Sequence, residues 1–275
     1  EFLSEVGLKR EREVFKLLVY KYFSEHFGLP DIPRKIDEQI KQVREFLSVS
    51  SLTVLKRADL AVSFRSYTEN LSESNIVNAN VMVQIAINRT LKTEAPKFNK
   101  KKFEASVEFA LTQTHNHENF LPTLCEAFDN AGVVLIVLPN LKNSGINGAT
   151  KKVDGKVMLM VNDRRHYADT FWFTLFHEIS HIMNGDYGIT FGTNQNHSED
   201  EADQYAQRCL IPQEKYERFL QENKTFDEKT IRDFAASIDR DPGIVLGRLM
   251  KDKVVDYTDM ELSNRLRKKY TVVIK

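Results

Sequence analysis

Residues 170–184 read Thr-Phe-Trp-Phe-Thr-Leu-Phe-His-Glu-Ile-Ser-His-Ile-Met-Asn, and this stretch constrains the fold more than any other. At about 100° per residue, Trp172, Leu175, Phe176, Ile179 and Met183 form an apolar arc wide enough to bury a helix against a core. His177 and His181 fall one turn apart on the other face, with Glu178 beside them and Thr170 and Thr174 above. The pattern predicts an amphipathic helix whose imidazoles point away from its packing surface.

Two histidines at i and i+4 can each place a nitrogen on one Zn²⁺, and the Glu between them can act as general base on the attacking water. A third ligand is required. Residues 197–212 read His-Ser-Glu-Asp-Glu-Ala-Asp-Gln-Tyr-Ala-Gln-Arg-Cys-Leu-Ile-Pro and predict a second helix. Its wheel puts Glu199, Ala202, Asp203, Ala206 and Leu210 on one stripe and Glu201 opposite. Glu199 is therefore the expected ligand, the small alanines allowing close approach of the two helices. Asp203, one turn on, is placed to accept from a ligating imidazole and fix its tautomer. Glu201 has another explanation, because Ser198 and Glu201 form a Ser-x-x-Glu capping box. His197 competes as third ligand but reads more simply as a loop histidine. A continuous His-Glu-x-x-His-x-x-Gly-x-x-His pattern is excluded, since Asn184 and Tyr187 occupy the required Gly and His positions.

Lys plus Arg and Asp plus Glu number 39 each, so the net charge is zero and no overall field recruits nucleic acid or acidic membranes. The basic clusters 100–102 and 265–269 read as solvated helix faces. The longest aliphatic run, 133–138, is too short to span a bilayer, and no secretory signal pattern opens the chain, so a cytoplasmic location is expected. With Glu1 in place of an initiating Met, the chain reads as a piece or processed form. Cys125 and Cys209 make neither a disulfide framework nor a Cys-x-x-Cys site, and read as buried thiols in helices.

The apolar spacing predicts helices over 11–27, 36–47, 75–93, 100–114 and 120–130, with a short capped turn after Ser51 and an irregular or briefly extended stretch at 61–66. No helix-turn-helix emerges. From Gly132 the pattern changes to a buried strand at 133–138, then strands at 150–153 and 156–161 joined through Asp154-Gly155, a strong hairpin signal. Gly145 and Gly148, around Asn147, read as a flexible turn near the edge of this sheet. After the Glu199 helix, further helices are expected at 215–222, 228–238, 242–251 and 260–269, and a final strand at 270–274. Asp241 and Pro242 start the third of these, whose Ile244, Val245, Leu246 and Leu249 read as packing. The expected architecture is α+β: a mostly helical region over 1–117, then residues 118–275 with a small mixed or antiparallel sheet packed on zincin-type active-site helices. An edge strand near the metal could take an extended peptide by main-chain hydrogen bonding.

Residues 171–181, the run Glu-Asp-Glu-Ala-Asp-Gln-Tyr-Ala at 199–206, Leu-Ile-Pro at 210–212 and Asp-Pro-Gly-Ile-Val-Leu-Gly-Arg-Leu at 241–249 together resemble the ImmA/IrrE family of zinc metallopeptidase domains. The branch fused behind HigA-like helix-turn-helix antitoxins is the most similar. The resemblance covers residues 120–251 and implies His177, His181 and Glu199 on zinc with Glu178 as base. It also implies a protein substrate, a helix-turn-helix repressor whose cleavage derepresses genes, and a toxin as a partner. Ile179-Ser180 stands where the family usually has Leu-Gly. For oxyanion stabilisation His166, Tyr167, Tyr187 and His197 are all open. Two rival classes remain: a regulatory sensor whose metal site is structural or binds peptide without cutting it, and a helical protein whose histidines hold nothing.

Overall fold

The structure is a computed structural model that describes residues 2–57, 71–191 and 197–272. The expected irregular stretch at 61–66 lies outside the described residues.

The sheet divides the core in two. Among the described residues its strands are β1 (Val133–Leu138), β2 (Ile146–Val153), β3 (Lys156–Asn162) and β4 (Gly188–Phe191), in spatial order β1-β3-β2-β4. β1 runs parallel to the central β3, while β2 lies antiparallel to both β3 and β4. The continuous apolar run of β1 reflects burial on both faces, as a parallel pair requires. Its residues alternate: Val133, Leu135 and Val137, with Val157, Leu159 and Val161, face one cluster, whereas Val134, Ile136 and Leu138, with Met158 and Met160, face the other. Between β2 and β3, Asp154 and Gly155 have φ of 48° and 75°, the left-handed pair that a tight hairpin of this twist needs. β2 begins four residues before the expected 150–153 strand, because residues 146–149 pair with β4, an element too short to show in the sequence pattern.

On the second face lie α1 (Phe2–Phe15), α2 (Tyr20–Phe27), α3 (Ile36–Leu47), a 3-10 turn at Leu52–Lys56 and α4 (Glu73–Leu91). The single helix expected over 11–27 is broken. The Leu17 carbonyl, which a continuous helix would use internally, accepts instead from Asn78 of α4 at 2.8 Å. The asparagines of α4 repeat this device, Asn80 donating to the Leu55 and Arg57 carbonyls and Asn88 to that of Leu47. Buried helix ends and turns are thereby satisfied by one central helix.

The first face carries α5 (Lys100–Leu111), α6 (Phe120–Asp129), α7 (Ala168–Asn184), α8 (His197–Leu210), α9 (Gln213–Glu222), α10 (Glu228–Ser237), α11 (Pro242–Lys251) and α12 (Met260–Leu266). The Asp241 side chain caps α11 through the Gly243 N–H, and the packing residues expected in α11 are buried. The final strand does not form over the described residues 270–272. Instead the segment after α12 straps the start of α7: Ala168 N–H donates to the Lys268 carbonyl, Tyr270 N–H to that of His166, and Arg267 grips Asp169 through two bonds. None of the described helices is long and apolar enough to cross a membrane.

Candidate metal centre

α7 is buried almost all round. His177, Glu178, Ser180 and His181 are buried along with Phe176 and Ile179, while Thr170 and Thr174 beside the imidazoles stay half-buried. The burial has a structural cause: α8 packs closely on α7, as expected from its alanines, and β2 and α11 pack against α7 as well. Ala202 and Ala206 of α8 are both buried, small enough to admit the helix backbone close to α7.

This approach brings His177, His181 and Glu199 together, with ligand atoms all within 4.8 Å of one another. The two Nε2 atoms are 3.2 Å apart, His177 Nε2 lies 3.1 Å from Glu199 Oε2, and His181 Nε2 lies 3.6 Å from Glu199 Oε1. Donors bound tetrahedrally at about 2.0–2.1 Å stand roughly 3.3 Å from each other. Two imidazoles and a carboxylate at these separations fit a zinc site in both chemistry and spacing. His197 is on the surface, 88% exposed and 3.5 Å from Glu201, so it does not join this group. Glu201 is exposed as well. The expected capping box gives way to another contact, the Ser198 hydroxyl donating to Asp186 from the second position of α8.

Each imidazole is held from behind. Asp203 Oδ1 is 2.8 Å from His177 Nδ1, and Lys251 Nζ of α11 donates to Asp203 Oδ2 at 2.9 Å. Burial favours the neutral form of Asp203, but His177 and Lys251 outweigh it and hold the carboxyl below its usual range. For His177, burial likewise favours the neutral ring; Asp203 and Glu199, helped by the charge of Glu178, override it and push the metal-free imidazole up to about 9. The counterpart on His181 is Asp186, 3.2 Å from Nδ1. Sequence reasoning missed it. α7 ends at Gly185 (φ 72°), after which the Asp186 N–H returns to the His181 carbonyl at 2.9 Å, so one residue holds both backbone and ring of His181. An acid directly after the glycine that ends the histidine helix was the available signal.

Glu178 has no measurable exposure and faces β2. A Cβ on Gly148 would come within 2.6 Å of Glu178 Cγ and Oε1, so Gly148 is a strand residue that makes room for the acid rather than part of a flexible turn. It sits beside the irregularity where β2 shifts register against β4.

A cleft of about 510 Å³ opens on this centre and reaches His177 and Glu199, with Thr170, Phe173 and Thr174 of α7 on one wall. None of His166, Tyr167, Tyr187 and His197 lines it. His166 is exposed near Asp163, Tyr167 is covered by Arg267 and Lys269, and Tyr187 packs under Lys152. Cys125 and Cys209 are half-buried free thiols in α6 and α8, apart from this group.

Residues 130–238 match the family model described as Peptidase_M78: IrrE N-terminal-like domain. No curated protein and no solved structure matches the chain. The matched segment runs from β1 through α10 and contains His177, Glu178, His181, Glu199 and Asp203. It supports the ImmA/IrrE resemblance and a metallopeptidase-type function, and carries nothing about fusion to HigA-like antitoxins.

Proposed function

We propose that this chain is a zinc-dependent endopeptidase, with His177, His181 and Glu199 holding the ion and Glu178 acting as general base. The observation that supports this most is a buried pair of imidazoles sharing one carboxylate, with Glu178 between them in sequence, at a centre open to a cleft. When bound, Zn²⁺ would supply Lewis acidity toward the scissile carbonyl and lower the pKa of water. Glu178 takes a proton from the attacking water and delivers it to the leaving amine. Asp203 and Asp186 keep Nδ1 of each imidazole occupied, which leaves both Nε2 atoms turned toward the shared centre. The walls of the cleft receive the polypeptide and limit its access to bulk water.

From the resemblance we take the substrate to be a regulatory protein of the helix-turn-helix repressor type, cut so that silenced genes are expressed, with a toxin as a further partner. The test is to mix the zinc-loaded chain with helix-turn-helix repressors encoded beside its gene, using Glu178→Gln as control. Cleavage of one repressor at a defined bond, lost in the variant, is the expected result. Tight binding of such a repressor with zinc intact and no cleavage would replace the peptidase with the regulatory sensor.

A further inference from the structure

Among the described residues, five cationic side chains line the cleft: Arg164, Arg165, Arg248, Lys251 and Arg267. Three are neutralised. Arg267 pairs with Asp169 through bonds of 2.9 and 3.0 Å, Lys251 with Asp203 at 2.9 Å, and Arg248 with Asp252 at 2.6 Å. Arg164 and Arg165, on the turn between β3 and α7, are exposed and have no carboxylate partner among the described residues. Arg164 is nevertheless held in place, by neutral oxygens: Nη1 donates to the Gly145 carbonyl at 3.3 Å and to Asn147 Oδ1 at 3.2 Å, and its backbone N–H to Asn162 Oδ1 at 3.1 Å. A guanidinium oriented by carbonyl and amide oxygens keeps its full charge and a preset direction, the state best suited to meet an incoming carboxylate.

The acidic side chains of the cleft are distributed differently. Asp200, the lining carboxylate with no cationic partner among the described residues, stands next to Glu199 on α8. An acidic substrate side chain is therefore disfavoured beside the scissile bond and favoured at the β3–α7 turn. The Arg164 guanidinium sits 3.2 Å from Asn147 Oδ1, and Asn147 directly precedes Gly148, which packs against Glu178. One residue step plus two side-chain reaches corresponds to about two to four residues of extended peptide.

We propose that Arg164 and Arg165 are specificity-determining residues that select peptides with an acidic side chain two to four residues from the cleaved bond. The proposal rests on the peptidase reading for its geometry, and binding and cleavage are measured separately so that the two fail apart. The probes are fluorescent nonapeptides of neutral composition, each with a single Asp at a different position and each matched by its Asn counterpart. Binding is measured by anisotropy with the zinc-loaded Glu178→Gln variant, and cleavage with the unsubstituted chain.

At a confined set of positions the Asp peptide should bind about tenfold more tightly than its Asn match, with the difference shrinking as salt rises. The Arg164→Ala/Arg165→Ala double variant should lose this preference while keeping its zinc content and melting temperature. Charge reversal at both positions should transfer the preference to Lys peptides. Equal binding of Asp and Asn peptides, undetectable binding of both, or a preference that survives in the double variant would overturn the proposal. If no peptide is cut but the arginine-dependent preference holds, the peptidase reading fails and the two arginines remain the acidic-peptide selector of the cleft, with no cleaved bond to count from; cleavage indifferent to Asp, with equal binding, overturns the selector and keeps the peptidase.

Discussion

Gly148→Ala tests how tightly the sheet fixes Glu178, the proposed general base. The added Cβ would sit 2.6 Å from Glu178 Cγ and Oε1 and 2.7 Å from Cδ, where carbon atoms prefer about 3.5–4.0 Å. Glu178 must then retreat by about 1 Å. It has no solvent to retreat into, being fully buried. The backbone of Gly148 lies outside the left-handed region, so alanine itself introduces no conformational strain and the collision is the whole effect. Overpacking of this kind costs about 1–3 kcal/mol, and a base displaced by about 1 Å loses on the order of a hundredfold in rate. The assay is a double-mutant cycle by urea denaturation, with Gly148→Ala introduced alone and into Glu178→Ala, which lacks the colliding atoms. The penalty of Gly148→Ala should fall by at least about 1 kcal/mol in the second background. Penalties that add within about 0.5 kcal/mol would refute a direct contact between the strand and Glu178.

Asp186→Asn should weaken zinc binding about 10–100-fold in competition with a chromophoric chelator, and an unchanged affinity would remove Asp186 as the support of His181. Because metal-free His177 stays protonated up to about 9, above the ordinary value of about 6.5, zinc binding near neutrality must expel a proton. Its calorimetric enthalpy should therefore vary with the ionisation heat of the buffer, and its affinity should climb with pH and level off above about 9. The sign for stability is opposite: a raised pKa favours the metal-free fold below about 6.5 and that contribution is lost as pH rises toward 9, so the melting temperature of the metal-free protein should fall over this window. A rise there would contradict the geometry around His177. Burial, reinforced by Asp129, lifts the Cys125 thiol to about 11, so alkylation at pH 8 should stay slow until the protein is unfolded.

The features readable in the sequence were those governed by local periodicity. His177 and His181 are one turn apart on any α-helix, and Glu199, Ala202, Asp203 and Ala206 share a stripe for the same reason. The Asp154-Gly155 turn was equally local, since only a left-handed pair closes that hairpin. What escaped depended on which elements meet. Gly148 gained its meaning from the passage of β2 across Glu178, and the division of α1 from α2 from an asparagine 61 positions away. Asp186 mattered because the turn at Gly185 folds it back onto the helix it follows. The histidine face of α7 reads as polar from its histidines and threonines, but how deeply each is buried depends on α8, β2 and α11, which pack against this helix.

Zinc K-edge absorption on the purified protein, combined with elemental analysis, tests the metal centre most directly. The structure predicts one zinc per chain with only nitrogen and oxygen neighbours at about 2.0–2.1 Å, including two imidazoles, and loss of stoichiometric zinc in Glu199→Ala. A sulfur shell near 2.3 Å, or zinc content indifferent to Glu199, would contradict it.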